Sequence, residues 1–189
     1  MEIYLRYFYT GLILLGAIYG YFLLKNSRNV RTDGFSVLEG FILLGLIIFG
    51  LLIPHGVFWF YPEFNLELPE YTYQISTALM IISVLLLLRT FKDLGKQYSP
   101  TLLIFEYHGL ITSGIYKYVR HPMYLTALLL LIAQSLALPN RIGIGSNGIA
   151  FGILLFLRIP AEEKLLIQEF DMEYKKYMER TAKIIPWLL

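Results

Sequence analysis

The chain has 189 residues, of which 57% are hydrophobic and only 16% are charged, and its mean hydropathy is +0.59. A soluble domain of this length is rarely so apolar, and several apolar runs approach the roughly 20 residues that a helix needs to cross a bilayer. Because the chain has no cysteine, a disulfide, a thiolate metal site and a catalytic thiol are all excluded. The composition therefore predicts an all-α integral membrane protein.

Five apolar segments are predicted to be transmembrane helices. In chain order they cover about 4–24, 35–53 (stopping at Pro54), 71–88, 122–138 and 147–157. The first lacks the basic flank and cleavage site of a signal peptide, so we expect it to be retained. The last two are short, and two alternatives stay open for them: a full crossing by each, or a tight hairpin that does not fully cross. We expect one membrane domain, in which residues 1–88 supply three helices and residues 89–189 form the cofactor-binding and catalytic part.

The basic residues predict a topology. Fourteen of the 16 Lys and Arg lie in three polar segments: three in 25–31, five in 89–120 and six from Arg158 onward. With five crossings, these segments share one side of the membrane. The positive-inside rule makes that side cytoplasmic, with the N-terminus outside and the C-terminus and any site between these segments in the cytoplasm.

A glycine pattern, GIGSNG, lies between the fourth and fifth apolar segments. Its spacing, Gly143, Gly145 and Gly148, is that of a dinucleotide-binding loop. Such a loop requires a preceding strand and a βαβ unit, neither of which is expected between membrane helices. We therefore interpret the pattern as a turn on the outer side.

Two polar clusters abut apolar sequence, a costly arrangement that calls for a reason. The first, HGLITSGIYKYVRHPMY (108–124), lies in a long connector predicted over 91–120 and at the start of the fourth helix. A helix start offers free backbone N–H groups to a polar ligand, although the same residues could simply mark a helix end at the interface.

The second cluster is RIPAEE (158–163). Arg158 and Glu162 share a helix face if the helix continues through Pro160. A guanidinium can bind a carboxylate through two hydrogen bonds, and the neighbouring carboxylate could hold an ammonium group. The alternative is that these charges only complement a helix end.

A C-terminal amphipathic helix is predicted over 161–181. It carries one apolar stripe, formed by Leu166, Phe170, Tyr174 and Tyr177. We expect the helix to lie on the membrane surface, or to close over the site.

At these two clusters the chain resembles the isoprenylcysteine carboxyl methyltransferase family, part of a superfamily that includes membrane phospholipid methyltransferases. The similarity extends over about residues 85–186, and the short chain resembles a prokaryotic member. The resemblance implies an S-adenosyl-L-methionine cofactor bound without a Rossmann domain. The implied cofactor contacts are His108, Gly109, Leu110, Ile111, Tyr116, His121, Pro122, Met123, Tyr124, Glu162 and Glu163. The implied catalytic residues are Arg158 and Glu162, and Arg158 would bind the acceptor's carboxylate.

The chemistry favours a carboxylate acceptor, because it is ionised at neutral pH and needs no general base. An amine acceptor would require one, and His121 or Glu163 would be the candidate. We expect a lipidic or prenylated acceptor that enters from the bilayer and a cofactor that enters from the cytoplasm, with neither nucleic acid nor metal. Alternatives are a phospholipid or amine N-methyltransferase, a small-thiol S-methyltransferase, and a non-catalytic scaffold or transporter subunit.

Overall fold

A computed structural model of the chain describes residues 48–95 and 109–186, together with Gly11, Ile42, Gly45 and Leu46. The first predicted helix and most of the second therefore lie outside the described residues. Within the described ranges the chain forms five α-helices and no strand longer than an isolated bridge. The helices are α1 (Ile53–Phe60), α2 (Tyr71–Leu94), α3 (Pro122–Ala137), α4 (Arg141–Ile153) and α5 (Ile159–Arg180). The all-α prediction is confirmed for this part of the chain.

Helix α2 is longer than predicted and has two distinct faces. Its buried residues include Thr72, Ser76, Met80, Ser83 and Leu87, which follow one another three or four positions apart, as expected for one face of a helix. Large aliphatic side chains such as Leu85 remain exposed on other faces. Exposed aliphatic residues beside a buried face of small and polar residues are typical of a helix that faces lipid on one side and protein on the other.

Helix α3 packs along α2 and forms the main apolar core. Met80, Leu87 and Phe91 of α2 belong to the same buried cluster as Ala133 and Ala137 of α3. The alanines let the two backbones approach closely, and the Ser76 hydroxyl of α2 donates to the Ala133 carbonyl at 2.6 Å. This contact joins the start of α2 to the end of α3, so the two helices are antiparallel. The end of α2 therefore lies beside the start of α3, where Leu94 and Met123 pack against the same core.

The turn between α3 and α4 is organised by one buried asparagine, Asn140. Its side-chain oxygen accepts from the amides of Ile142 and Gly143 and so caps α4. Its side-chain nitrogen donates to the carbonyls of Val57, in α1, and of Tyr61, just after α1, and, at 2.7 Å, to the side chain of Asn65. The polar groups of this hairpin turn are thereby satisfied within the protein, as a membrane environment requires.

The predicted glycine-rich turn is wrong, because α4 begins at Arg141 and contains all three glycines. The Asn140 cap starts the helix early, and glycine is tolerated in apolar helices that pack closely. A β-carbon at Gly143 would lie 3.3 Å from the Cα of Pro54 in α1. At least this glycine therefore serves close helix packing, and the pattern is neither a turn nor a nucleotide loop.

The prediction that a helix stops at Pro54 is also wrong. Pro54 and Pro160 each lie two residues after a five-residue π-helical segment, Ile48–Leu52 and Leu154–Arg158 respectively. Proline cannot donate the usual helical hydrogen bond and its ring clashes with the carbonyl four residues earlier. A π-helical turn changes that hydrogen-bonding pattern, so the chain stays helical across both prolines. Helical structure therefore continues from Arg141 through Pro160, and α5 is kinked further on, at Asp171, whose backbone is non-helical (φ +36°).

Among the residues that the structure describes, two helices are long and apolar enough to cross a membrane, Tyr71–Leu94 and Arg141–Arg180. Two shorter apolar helical stretches accompany them, Ile48–Phe60 and Pro122–Ala137. These helices support an integral membrane protein. The count of five crossings and the placement of the C-terminal helix on a membrane surface stay predictions.

Candidate functional site

The two polar clusters of the sequence meet where the start of α3 faces the start of α5. His121, immediately before α3, is only 3% exposed. Its Nε2 atom lies 3.3 Å from Oε1 of Glu163, and its Nδ1 atom lies 3.8 Å from Oε1 of Glu162. One buried imidazole therefore separates two neighbouring carboxylates, and the 108–124 and 158–163 clusters form a single site.

Tyr124 connects this pair to Arg158. Its hydroxyl donates to Oε2 of Glu162 at 2.5 Å, and the guanidinium of Arg158 interacts with the same hydroxyl. Tyr124 lies in the first turn of α3, which the buried Pro122 initiates. Arg158, Tyr124 and Glu162 thus form a row in which one phenol bridges a cation and an anion. We call this row together with His121 and Glu163 the ionic site.

Arg120 holds the ionic site together from one side. Its side chain is 7% exposed and its Nε atom donates to Oε1 of Glu163 at 3.1 Å. Its Nη1 atom donates to the carbonyl oxygens of Met178, at 3.0 Å, and of Thr181. Arg120 therefore ties the start of α3 to both ends of α5. Sequence analysis did not assign it to the site, although its position beside His121 was the available signal.

The residues after α5 form a strap along the same segment. The amide of Arg120 donates to the Ala182 carbonyl at 2.8 Å, and the amide of His121 donates to the Lys183 carbonyl at 3.0 Å. The Lys183 ammonium lies 3.6 Å from Oε2 of Glu163. Glu163 is thus neutralised by two cations, Arg120 and Lys183. Sequence analysis missed Lys183, because no local pattern reveals a contact between residues so far apart in the chain.

A turn of 3₁₀ helix, Gly114–Lys117, brings the connector to the site. Asp93 at the end of α2 holds it: its Oδ2 atom accepts from the Ile115 amide at 2.7 Å and from Nε of Arg89 at 2.8 Å. Gly114 has φ +63°, and a β-carbon there would lie 2.2 Å from Oδ2 of Asp93. Both the conformation and the close approach therefore require glycine.

Tyrosines of the connector and of α5 pack beside the ionic site. The Tyr177 hydroxyl donates to the Tyr116 carbonyl at 2.5 Å. Burial, and next the negative charge of Glu162, raise the pKa of Tyr116, so its phenol stays protonated. The hydroxyl of Tyr174 is buried and has no hydrogen-bond partner among the described residues. Two members of the predicted apolar stripe of α5 are thus buried in the protein.

The remaining predicted site residues lie apart from these contacts. His108 lies outside the described residues. Gly109, Leu110 and Ile111 precede the connector turn, and the hydrogen bonds described above do not include them. The partly buried Met123 side chain packs against the α2–α3 core.

The fold and the ionic site define the class of the protein. It is a helical membrane protein with a buried, ion-lined site at the polar ends of its apolar helices. Residues 76–168 match the profile of the isoprenylcysteine carboxyl methyltransferase (ICMT) family. The chain therefore carries a region of this family over about half of its length, and the resemblance predicted from the sequence is confirmed.

Individual relatives agree with the family match. Over 87 residues the chain is 33% identical to protein-S-isoprenylcysteine O-methyltransferase A of Arabidopsis thaliana, and the aligned region covers 44% of this chain and 42% of that protein. Over 76 residues it is 33% identical to methanethiol S-methyltransferase 1 of Bradyrhizobium diazoefficiens, and the aligned region covers 40% of this chain and 26% of that protein. The chain thus spans less than half the length of either relative. One of these relatives is a plant protein and the other a bacterial one, so the expectation of a prokaryotic member is not borne out.

The fold has a solved counterpart. The structure of the eukaryotic intramembrane Ras methyltransferase ICMT aligns with 98% of this chain and 68% of that chain, with a TM-score of 0.66 and 17% identity. At this identity the likeness establishes the fold. It does not extend to the substrate.

Proposed function

We propose that the protein is a membrane-embedded methyltransferase that uses S-adenosyl-L-methionine to methylate the carboxylate of a lipidic acceptor such as a prenylated cysteine. The row of Arg158, Tyr124 and Glu162 carries this proposal. It offers a cation for the acceptor's carboxylate and an anion for a cationic cofactor, separated by a single phenol. The two reactants would therefore be bound side by side, as a one-step group transfer requires.

The residues present fit a cationic cofactor. Glu163 is neutralised by Arg120 and Lys183. The Glu162 side chain, in contrast, is 33% exposed and accepts a hydrogen bond from the neutral phenol of Tyr124. Glu162 is thus the carboxylate suited to an ammonium group of the cofactor. The buried hydroxyl of Tyr174 offers an additional polar group with no partner among the described residues.

When bound, S-adenosyl-L-methionine would supply an activated methyl group on a sulfonium. The chain's own residues would bind and orient it. We propose Glu162, Glu163, Tyr116, Tyr124 and His121 as the side chains around it. Residues 108–111 of the connector, together with Pro122 and Met123, are the further contacts that the family resemblance implies.

The surroundings of the two candidate bases favour a carboxylate acceptor over an amine. His121 has a carboxylate beside each ring nitrogen, and Glu163 is paired with two cations. Both ring nitrogens of His121 and both carboxylate oxygens of Glu163 are thus already engaged by protein partners, which leaves no free acceptor atom for a proton of a bound ammonium. A carboxylate needs no deprotonation, so Arg158 has only to orient it and the closed site only to exclude water.

The experiment is methyl transfer from radiolabelled S-adenosyl-L-methionine by the protein in detergent. Three acceptors are compared: an S-prenylated cysteine, phosphatidylethanolamine and methanethiol. We expect methylation of the prenylcysteine alone, loss of that activity in Arg158→Ala, and cofactor binding by calorimetry that is nearly unchanged. Arg89→Ala, an exposed arginine on α2, is the matched control. Absence of any cofactor binding would refute the enzyme, and loss of cofactor affinity in Arg158→Ala would refute its assignment to the acceptor.

S-methylation of a small thiol is the second candidate, and the similarity to a methanethiol S-methyltransferase favours it. A thiol offers no carboxylate to Arg158. Transfer to methanethiol that survives Arg158→Ala would therefore establish this alternative.

The proposed site requires a defined orientation in the membrane. We propose one domain with five crossings, the N-terminus outside and the ionic site and C-terminus in the cytoplasm. The distribution of Lys and Arg supports this topology, and the α2–α3 core supports one domain. Helix α3 has 16 residues and spans about 24 Å, so it is short by comparison with the roughly 30 Å of a hydrocarbon core, whereas the helix that begins at Arg141 is long enough to cross. A reporter fused after Leu189 should be cytoplasmic, and an external signal would overturn the orientation.

A further inference from the structure

We propose that a second cleft, formed between α3, α4 and the C-terminal strap, binds an anionic phospholipid. The cleft is open to the surface and has a volume of about 980 Å³. Its apolar wall includes Leu128 of α3, Phe151 of α4, Leu155 of the π-helical segment and Ile184 of the strap. We call it the C-terminal cleft.

The C-terminal cleft is separate from the ionic site. Its lining includes Arg120 but none of Tyr124, Arg158 and Glu162. The lipid proposed here is therefore distinct from the methyl acceptor proposed above, and the inference does not depend on the reaction.

The rim of the cleft is basic. Lys117, Arg120, Arg180 and Lys183 line it, together with one acid, Glu179. Arg120 and Lys183 also neutralise Glu163. Four cations less these two carboxylates leave a net charge of +2 at the rim. Lys117 and Arg180 are exposed, and neither forms an ion pair with a described carboxylate.

The apolar wall points to a lipid. Phe151 and Leu155 belong to the apolar part of the long helix that begins at Arg141, and the neighbouring Phe156 and Leu157 are exposed large hydrophobics. The cleft therefore lies where lipid-facing surface meets the charged helix ends. A soluble anion would leave the apolar wall unused, and a zwitterionic lipid would leave the net positive charge uncompensated. An anionic phospholipid matches both surfaces, with its headgroup at the rim and an acyl chain along the wall.

The proposal is tested by titrating the full-length, delipidated protein in detergent with phosphatidylglycerol or phosphatidylcholine and counting bound lipid by native mass spectrometry. The test variant is Lys117→Gln/Arg180→Gln. The matched control is Lys92→Gln/Lys176→Gln, which removes two exposed cations outside the cleft. Each basic side chain near an anionic surface strengthens binding about fivefold, so the test variant should bind phosphatidylglycerol about 25-fold more weakly. The control should bind it like the parent protein, and phosphatidylcholine should bind weakly to all three.

Several outcomes would overturn the proposal. These are equal binding of the two lipids, an equal loss in the control variant, and displacement of phosphatidylglycerol by inorganic phosphate at a similar concentration, which would indicate a site for a soluble anion. A second variant, Ile185→Glu, keeps both cations and places an acid at the exposed edge of the cleft. It too should lose phosphatidylglycerol, and full binding by this variant would place the lipid elsewhere.

Discussion

Arg120→Ala is the most direct test of how the ionic site is assembled. The substitution removes three hydrogen bonds that a nearly buried guanidinium makes, one to Glu163 and two to backbone carbonyls. Removing one partner of a buried ion pair typically costs 3–5 kcal/mol, because the other charge stays buried. Lys183 and His121 remain near Glu163, so we expect the lower end, a loss of about 3 kcal/mol in the free energy of unfolding.

The measurement is thermal unfolding in detergent, followed by circular dichroism. For a chain of this size, about 3 kcal/mol corresponds to a decrease of roughly 6–12 °C in Tm. Arg89→Ala provides a matched control, because Arg89 donates to Asp93 at 2.8 Å from a side chain that is 52% exposed. Exposed pairs contribute at most about 1 kcal/mol, so this variant should lose no more than about 4 °C.

A double variant separates the ion pair from other effects of the substitution. In Arg120→Ala/Glu163→Gln the Glu163 carboxylate is no longer left buried without its arginine partner. The double variant should therefore lose about 2 kcal/mol less in the free energy of unfolding than the sum of the losses in the two single variants. Additive losses, or a loss in Arg120→Ala no larger than in Arg89→Ala, would refute the reasoning that burial makes this pair structurally important.

Three further predictions test other parts of the structure. Glu162→Gln should weaken S-adenosyl-L-methionine binding about tenfold or more by calorimetry, since a charge-assisted hydrogen bond is lost, while Glu179→Gln should not. Asn140→Ala should lower the free energy of unfolding by about 2–3 kcal/mol in urea titrations, because the helix cap and the buried hydrogen bonds at the hairpin turn are lost together. The control, Thr77→Ala, removes only a hydrogen bond within α2 and should cost less than about 1 kcal/mol. Asp171 has φ +36° within α5, so Asp171→Gly should raise Tm by a few degrees, by about 1 kcal/mol of relieved strain, and no rise would argue against that strain.

The sequence was most informative where polar residues adjoin apolar runs, because placing them next to the membrane costs free energy and requires an explanation. Polar residues beside apolar runs drew attention to 108–124 and 158–163, and the structure joins both through His121. The bounds of α3 also followed closely, because a proline at the first helical position and a long apolar run mark them locally. These features depend on neighbours in sequence, which is why they could be predicted.

Contacts between distant segments could not be predicted in the same way. The strap places Lys183 against Glu163 and pairs its backbone with Arg120 and His121, yet the segment 181–186 carries no distinctive pattern. The glycine pattern failed for the opposite reason. Its local signal for a turn was strong, but the Asn140 cap and the close approach of Gly143 to α1 outweighed it.

The two π-helical segments explain why the predicted helix stop at Pro54 was wrong, and one of them also shapes the ionic site. A regular α-helix predicted from the sequence has 3.6 residues per turn. It either ends at each proline or continues past it with the same residues facing the lipid and the protein. A π-helical turn holds an additional residue, which rotates the following face by about 100° relative to that regular helix. The segment Leu154–Arg158 makes this change immediately before α5, and Arg158 is its last residue. The rotation therefore acts where the lipid-facing part of the helix gives way to the part that presents Glu162 to Tyr124 and Glu163 to Arg120. One helix can thus face lipid along its first half and supply the ionic site at the start of its second.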